Sequence, residues 1–279
     1  FHTVCFLKPI QVLKRISFYL ILPSIDRSLR PKIRLASGKW ILAAQRKPSI
    51  VDRDTFIFLN KSGSLSELGW DGSEREKLWR YNQHYFDDLN SKGSESRTIW
   101  HQEIIDAWVQ QNPKFTGTAW ESYPTSLRIV NWIKWHQSYS LLSEESLQSL
   151  CIHARWLRKR VEWHLLGNHL FANAKALIFV GLFFEGPEAE KWLKDGLSIV
   201  TQELKEQVLP DGGNFERSTM YHSIFLEDLL DLINSNILSH GGKEIALDDH
   251  IKEYFSLKGN AVIRSWLWDV PGFRRWRVT

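Results

Sequence analysis

Cysteine is almost absent from this chain of 279 residues: Cys5 and Cys151 are the only two. Two thiols make neither a disulfide framework nor a four-ligand metal set, so both read as ordinary buried thiols. Neither sign of charge is in large excess. Lys and Arg number 36 against 32 for Asp and Glu, a formal net charge of +4, which an acidic ligand tolerates but does not require. Long apolar runs are missing as well; "ALIFVGLFF" is the longest and is too short to span a bilayer, so no transmembrane segment is expected. The opening "FHTVCFLKPIQVLKRISFYLILP" is basic and apolar but lacks a small-residue cleavage site, so it does not read as a signal peptide. The chain starts with Phe rather than Met, which leaves its true N-terminus and any export signal out of view. There is no GxSxG elbow, no Walker loop, no GxGxxG and no zinc-type CxxC. His164, His169 and His222 form no tight pair of the HExxH kind, so a zinc site is not expected.

What is present is a chain that can bury a core, 43% hydrophobic and 24% charged. Its 14 tryptophans are unusual for this length. Most belong to a core, but aromatic faces also stack on sugar rings, which keeps a carbohydrate cleft in view. Residues 1–90 read as an irregular segment punctuated by Pro9, Pro23, Pro31 and "WDGSE", with a β-prone piece "TFIFLN" at 55–60. From about residue 98 the 3.6-residue period takes over, and helices are predicted at 98–111, 124–141, 145–163, 169–184, 187–208, 220–236 and 247–268.

Those helices alternate in character. The segments 124–141 and 169–184 are apolar nearly all round, whereas 145–163 and 187–208 carry charge on one face. An inner, outer, inner, outer succession of antiparallel helices suits an (α/α) barrel or toroid. A solenoid shares the signature, but no repeat of about 34 or 40 residues is visible. Every second helix then starts on the same rim. The segments that enter them are "WESYPTSLR", "HLLGNHLFAN" and "DGGNFERSTMYH". Helix N-termini offer free N–H groups and a partial positive charge, which favours a carboxylate or sulfate ligand.

Each of these residues alone has a plainer reading. Asn168 suits an N-cap, Ser218 or Thr219 suits the next one, and a lone histidine is commonly a core or surface residue. Capping needs one polar residue per helix start, however, and these starts carry Asn, His, Glu, Arg, Tyr and His. Glu216 and Glu121 also leave paired-carboxylate hydrolysis open.

Four strings in order, "YNQHYFDDLN", "YPTSLRIVNWIKW", "EWHLLGNHLFANAKALIFVGLFF" and "LPDGGNFERSTMYHSIFLEDLLDL", make the chain resemble the heparinase II/III family of polysaccharide lyases over roughly residues 1–240. The resemblance implies a mainly α fold, an incomplete (α/α) toroid of helical hairpins followed in that family by an antiparallel β-sandwich. It implies an enzyme that cleaves the 4-O-glycosidic bond of a uronic acid by β-elimination, without a cofactor. The partner it implies is an acidic, uronate-containing polysaccharide such as heparan sulfate, alginate or a bacterial capsule, and no nucleic acid. A periplasmic or exported setting goes with it.

The chemistry needs three things. The C5 proton is weakly acidic while the adjacent carboxylate is charged, so a donor must neutralise that carboxylate as charge builds. By resemblance this falls to Asn168 and His169. A base must take the proton and an acid must protonate the leaving oxygen, and Tyr221 matches the family's catalytic tyrosine. A phenol of ordinary pKa needs cations nearby to act as a base, for which Arg217 and His222 are close in sequence. Glu216, Tyr123 and Arg128 are further candidates for orienting substrate.

The C-terminus departs from the pattern. After about residue 258 comes "GNAVIRSWLWDVPGFRRWRVT", with no alternating strands, so the β-sandwich and the histidine it brings have no match here. The expected division is an irregular segment 1–90 packed on a toroid domain 91–268, with 269–279 an aberrant or truncated tail. The alternative function is a non-catalytic binder of acidic polysaccharide, or an inactive fragment.

Overall fold

The computed structural model describes residues 8–38, 40–41, 44–209 and 213–240. The segment read as irregular holds more order than its punctuation suggests. Helix α1 (Pro9–Leu20) is followed by a hairpin of β1 (Thr55–Phe58) and β2 (Lys61–Ser64), then α2 (Leu65–Leu68) and α3 (Lys77–Tyr85). The "TFIFLN" piece is the first strand and its turn. Leu59 and Asn60 both take positive φ, the geometry of a two-residue turn whose twist matches the strands. Helix α3 escaped the periodic reading because Gln83, His84 and Tyr85 join Trp79 in its buried set, so its inward face is largely polar in sequence.

The remaining helices fall where the period puts them: α4 (Thr98–Gln111), α5 (Ser122–Tyr139), α6 (Glu144–Lys159), α7 (Gly167–Phe183), α8 (Pro187–Gln207) and α9 (Thr219–His240). The expected helix at 247–268 lies outside the described residues. Helix α6 starts conventionally. The Ser143 hydroxyl accepts from Ser146 N–H, acids occupy its first turn, and Arg158 and Lys159 its last. Helix α8 opens with Pro187 at its first position after Gly186.

Inner and outer helices separate by burial. Every residue of α7 from Leu170 to Phe183 is buried. In α8 only one stripe is, from Ala189 and Trp192 through Gly196 to Leu204 and Gln207. The two pack unusually close because glycines face each other's backbone. A Cβ on Gly181 would meet Leu193 N at 2.6 Å, and one on Gly196 would meet Ala174 O at 2.8 Å. Helices α5, α7 and α9 lie side by side and run in one sense. Tyr123 meets His169 and Phe171 meets Phe225 near their starts, and Lys134 reaches Asp231 further along. This is the toroid arrangement of helical hairpins expected from the alternation.

One contiguous core runs from Ile50 through the tryptophans Trp79, Trp108, Trp132 and Trp135 to Leu232. It crosses residue 90 without a break, and α3 packs on α5, so the irregular segment and the toroid share one core. Cys151 lies fully inside it, and burial pushes its thiol up to about 12. Cys5 lies outside the described residues.

Candidate functional site

Helix α7 begins differently from α6. The residue before it, Leu166, sits at φ 61° and ψ −162°, Gly167 at φ 57°, and no side chain caps the helix. A non-glycine residue at that φ stores backbone strain, a feature that clusters at functional sites. Asn168 is therefore not the cap that its place in the sequence suggested. It is half-buried, and its amide has no hydrogen-bond partner among the described residues. The N–H groups of Gly167, Asn168 and His169 likewise find no backbone acceptor among the described residues. Free donors and the positive end of the helix dipole thus meet at one place.

His169 follows on the same turn. Its Nδ1 lies 3.3 Å from Glu162 Oε2, and its ring tilts against that of Tyr123 with centroids 4.4 Å apart. Glu162 is buried and is held on both sides by Asn173 of α7. Its N–H donates to Asn173 Oδ1 at 2.8 Å, and Asn173 Nδ2 donates to its Oε2 at 3.1 Å and to Ser126 Oγ at 3.0 Å.

A row of rings leads away from His169. Tyr123 meets Tyr85 at 5.9 Å, and Tyr85 meets Tyr81 at 6.2 Å, with the Tyr81 hydroxyl donating to Glu121 and Lys77 pairing with that same carboxylate at 2.9 Å. Burial raises the Tyr85 phenol, as do Tyr123, Asp87, Glu162 and Glu121. Burial also raises Tyr123, and with Asp228, Asp87 and Tyr221 close by it is pushed up to about 12, while Arg46 pulls the other way. Tyr221, on the first turn of α9, lies one turn before Phe225, whose ring meets Phe171 of α7, and so stands at the same rim. It is half-buried, and its hydroxyl has no partner among the described residues.

Beneath the rim lies a buried charge cluster. Lys175 Nζ bonds Asp228 Oδ1 at 2.7 Å and Asp231 Oδ2 at 2.6 Å, and Lys134 Nζ reaches the same Asp231 oxygen at 2.9 Å. Burial alone would raise Asp231, but the two lysines carry it below the ordinary carboxylate range; Asp228, with one lysine, stays raised by burial.

Of the residues expected at the site, Tyr123, Asn168, His169 and Tyr221 come together, with His222 half-buried beside Tyr221. Glu216 and Arg217 are exposed on the turn before α9, Arg217 at φ 54°, and neither side chain has a partner among the described residues. Arg128 is elsewhere, which corrects the expectation that it orients substrate. It is fully buried, donates to the carbonyls of His84 and Ala119, and lies 3.9 Å from the Trp108 ring centroid. The aromatic face and the carbonyls hold the planar cation there, although its Nε finds no hydrogen-bond partner among the described residues. No group of three or more His, Cys, Asp or Glu side chains suited to a metal occurs among the described residues. A cavity of about 530 Å³ lies near Arg27, Phe115 and Glu144, and none of the rim residues lines it.

Comparison with known proteins bears on this rim. The model of the heparinase II/III N-terminus matches residues 75–258. The chain belongs to the heparinase II/III family. The match begins just before α3 and takes in every rim residue from Tyr81 to His222. A heparin-sulfate lyase of Bacteroides stercoris is 26% identical, covering 55% of this chain and 28% of its own length. Among solved structures, a heparan sulfate lyase of Pedobacter heparinus superposes with a TM-score of 0.55 at 15% identity, over 88% of this chain and 42% of its own. A heparinase III gives 0.53 at 17% identity, over 73% and 38%. A 15,16-dihydrobiliverdin:ferredoxin oxidoreductase of Prochlorococcus marinus is 53% identical over 58 residues, 21% of this chain and 24% of the relative. The chain thus spans about a quarter of the length of the curated relatives it matches.

Within this family frame, sequence reasoning passed over Glu162, Asn173, Tyr81 and Tyr85. A signal existed for all of them but Glu162. Asn173 and Lys175 are polar residues in a helix otherwise apolar all round, and Tyr81 and Tyr85 stand four apart, on one helix face.

Proposed function

We propose that this chain is the helical part of a polysaccharide lyase that acts on a uronate-containing acidic polysaccharide by β-elimination. The observation that carries the reading is the start of α7. An unpartnered, half-buried amide on Asn168 stands among free helix N–H groups, beside His169, whose ring meets that of Tyr123. Such a place suits a carboxylate.

In this reading Asn168, with His169, faces the carboxylate of the uronate at the cleavage point. As the C5–H bond breaks, its electron pair forms the C4–C5 double bond and expels O4, while charge spread onto the carboxylate is met by donors already in position. Tyr221 takes the C5 proton, returns one to O4, or does both in turn. Tyr123 and Tyr81 offer ring faces along which neighbouring sugars lie, with the buried Tyr85 ring packed between them. Glu216, Arg217 and His222, at the turn and first turn of α9, are left to contact flanking sugars. A polymer of this kind goes with a periplasmic or exported enzyme, and no helix among the described residues is long and apolar enough to cross a membrane.

The test is to offer the protein a panel of heparan sulfate, alginate and capsular uronates and follow ultraviolet absorbance of the unsaturated uronate. Growth of that signal with one polymer is expected. Saturated reducing ends instead would point to hydrolysis and refute elimination. One observation favours a second reading, binding without cleavage: the Tyr221 hydroxyl has no partner among the described residues to activate it. That reading expects saturable binding of a uronate oligosaccharide, weakened by salt, and no double bond.

A further inference from the structure

Glu162 sits in the loop between α6 and α7 and is 7% exposed. A buried carboxylate is costly unless it is hydrogen-bonded, and no lysine or arginine pairs with this one among the described residues. Its bonds fix the direction of every donor around it. The Glu162 backbone N–H can only donate, so the atom of Asn173 that meets it at 2.8 Å is the amide oxygen. The other end of that amide is then NH₂, which donates to Ser126 Oγ and to Glu162 Oε2. Glu162 Oε2 is therefore an acceptor, and His169 Nδ1, 3.3 Å from the same oxygen, is the nitrogen that carries the proton. The ring is held on a second side by Tyr123. Its remaining nitrogen, Nε2, has no partner among the described residues, and the side chain is 30% exposed.

We propose that Glu162 is the positioning residue of the site: it fixes neutral His169 as the Nδ1–H tautomer and turns Nε2 outward as a hydrogen-bond acceptor. The functional meaning rests on the lyase reading above. A neutral ring so held cannot donate to a uronate carboxylate, so that duty falls to Asn168 and the helix N–H groups. His169 accepts from a sugar hydroxyl, and it joins in holding the carboxylate only as an imidazolium, whose charge Glu162 balances. Asn173 acts one step further out by holding Glu162.

The test reads the tautomer directly. In the 279-residue protein with ¹⁵N-labelled histidine, two-bond ¹H–¹⁵N correlations are recorded at about pH 8, where an ordinary imidazole is neutral. The His169 signal is assigned by its loss in His169→Gln. Nδ1 is expected to carry the proton in the native protein. Glu162→Ala should move the proton to Nε2, and Glu162→Gln, whose side-chain oxygen still accepts, should restore Nδ1–H. An Nε2–H ring in the native protein overturns the proposal, as does an Nδ1–H ring that persists in a folded Glu162→Ala variant. Should that variant lose its helical circular dichroism, the native spectrum decides alone. The measurement needs no substrate, so a failure to form unsaturated product would count against the lyase reading and leave this assignment standing.

Discussion

Replacing Asn168 with alanine separates a structural from a chemical role, because the start of α7 assigns the two different sizes. A cap lost to alanine costs about 0.5–2 kcal/mol of stability. Asn168 caps nothing, since the N-cap position belongs to Leu166 and the Asn168 amide bonds no described residue. Inside a helix alanine is also the better former, by a few tenths of a kcal/mol. The expected stability change is therefore within about 0.5 kcal/mol of zero, a shift of about 2 °C or less in Tm. The rate should tell a different story. A preorganised donor facing charge that develops in the transition state contributes about 2.7–4 kcal/mol, a loss of roughly 10²–10³ in kcat. Thermal melts and initial rates of unsaturated-product formation, measured on one preparation of a form that turns over, check both numbers. A Tm lower by more than about 4 °C with kcat unchanged would refute the reasoning, since it would return Asn168 to a structural role and empty the proposed carboxylate site.

Tyr221→Phe should remove turnover while leaving uronate binding and the melting curve in place, and a variant that keeps near-native kcat excludes the phenol from the chemistry. Lys175→Met should cost about 3–5 kcal/mol in denaturant melts, because it leaves Asp228 without its partner and Asp231 with Lys134 alone; a loss under about 1 kcal/mol would mean that the cluster is solvated. Acid should weaken the fold through His84. Burial, with Arg128 close by, pushes this imidazole down to about 3, and its Nδ1 accepts from Trp108 Nε1. The fold thus favours the neutral ring, so its contribution is complete above about pH 6.5 and falls by about 1.4 kcal/mol per pH unit as pH drops towards the folded value. Between pH 6.5 and 5 this is about 2 kcal/mol, and His84→Gln should flatten the acid limb of the stability curve by that amount; an unchanged slope would place the titration elsewhere.

The sequence by itself determined the alternation of helices and therefore the rim. Burial all round in α7 and on one stripe of α8 is written in the 3.6-residue period, and short hairpin connections return the chain to one end every second helix. That was enough to bring the starts of α5, α7 and α9 together, while Asn168, His169 and Tyr221 were singled out there by the resemblance of their strings to the heparinase II/III family. It did not reveal α3, whose inward face is polar, or the place of Arg128, which reads as a rim cation and is stacked on Trp108 in the core. Nor did it show that Leu166 rather than Asn168 occupies the cap position, that Glu162 meets His169, or that two lysines from α5 and α7 converge on aspartates of α9. Periodicity is a property of one segment and survives in the sequence of that segment alone. A hydrogen bond or ion pair belongs to two segments at once, and only their packing decides which donor faces which acceptor.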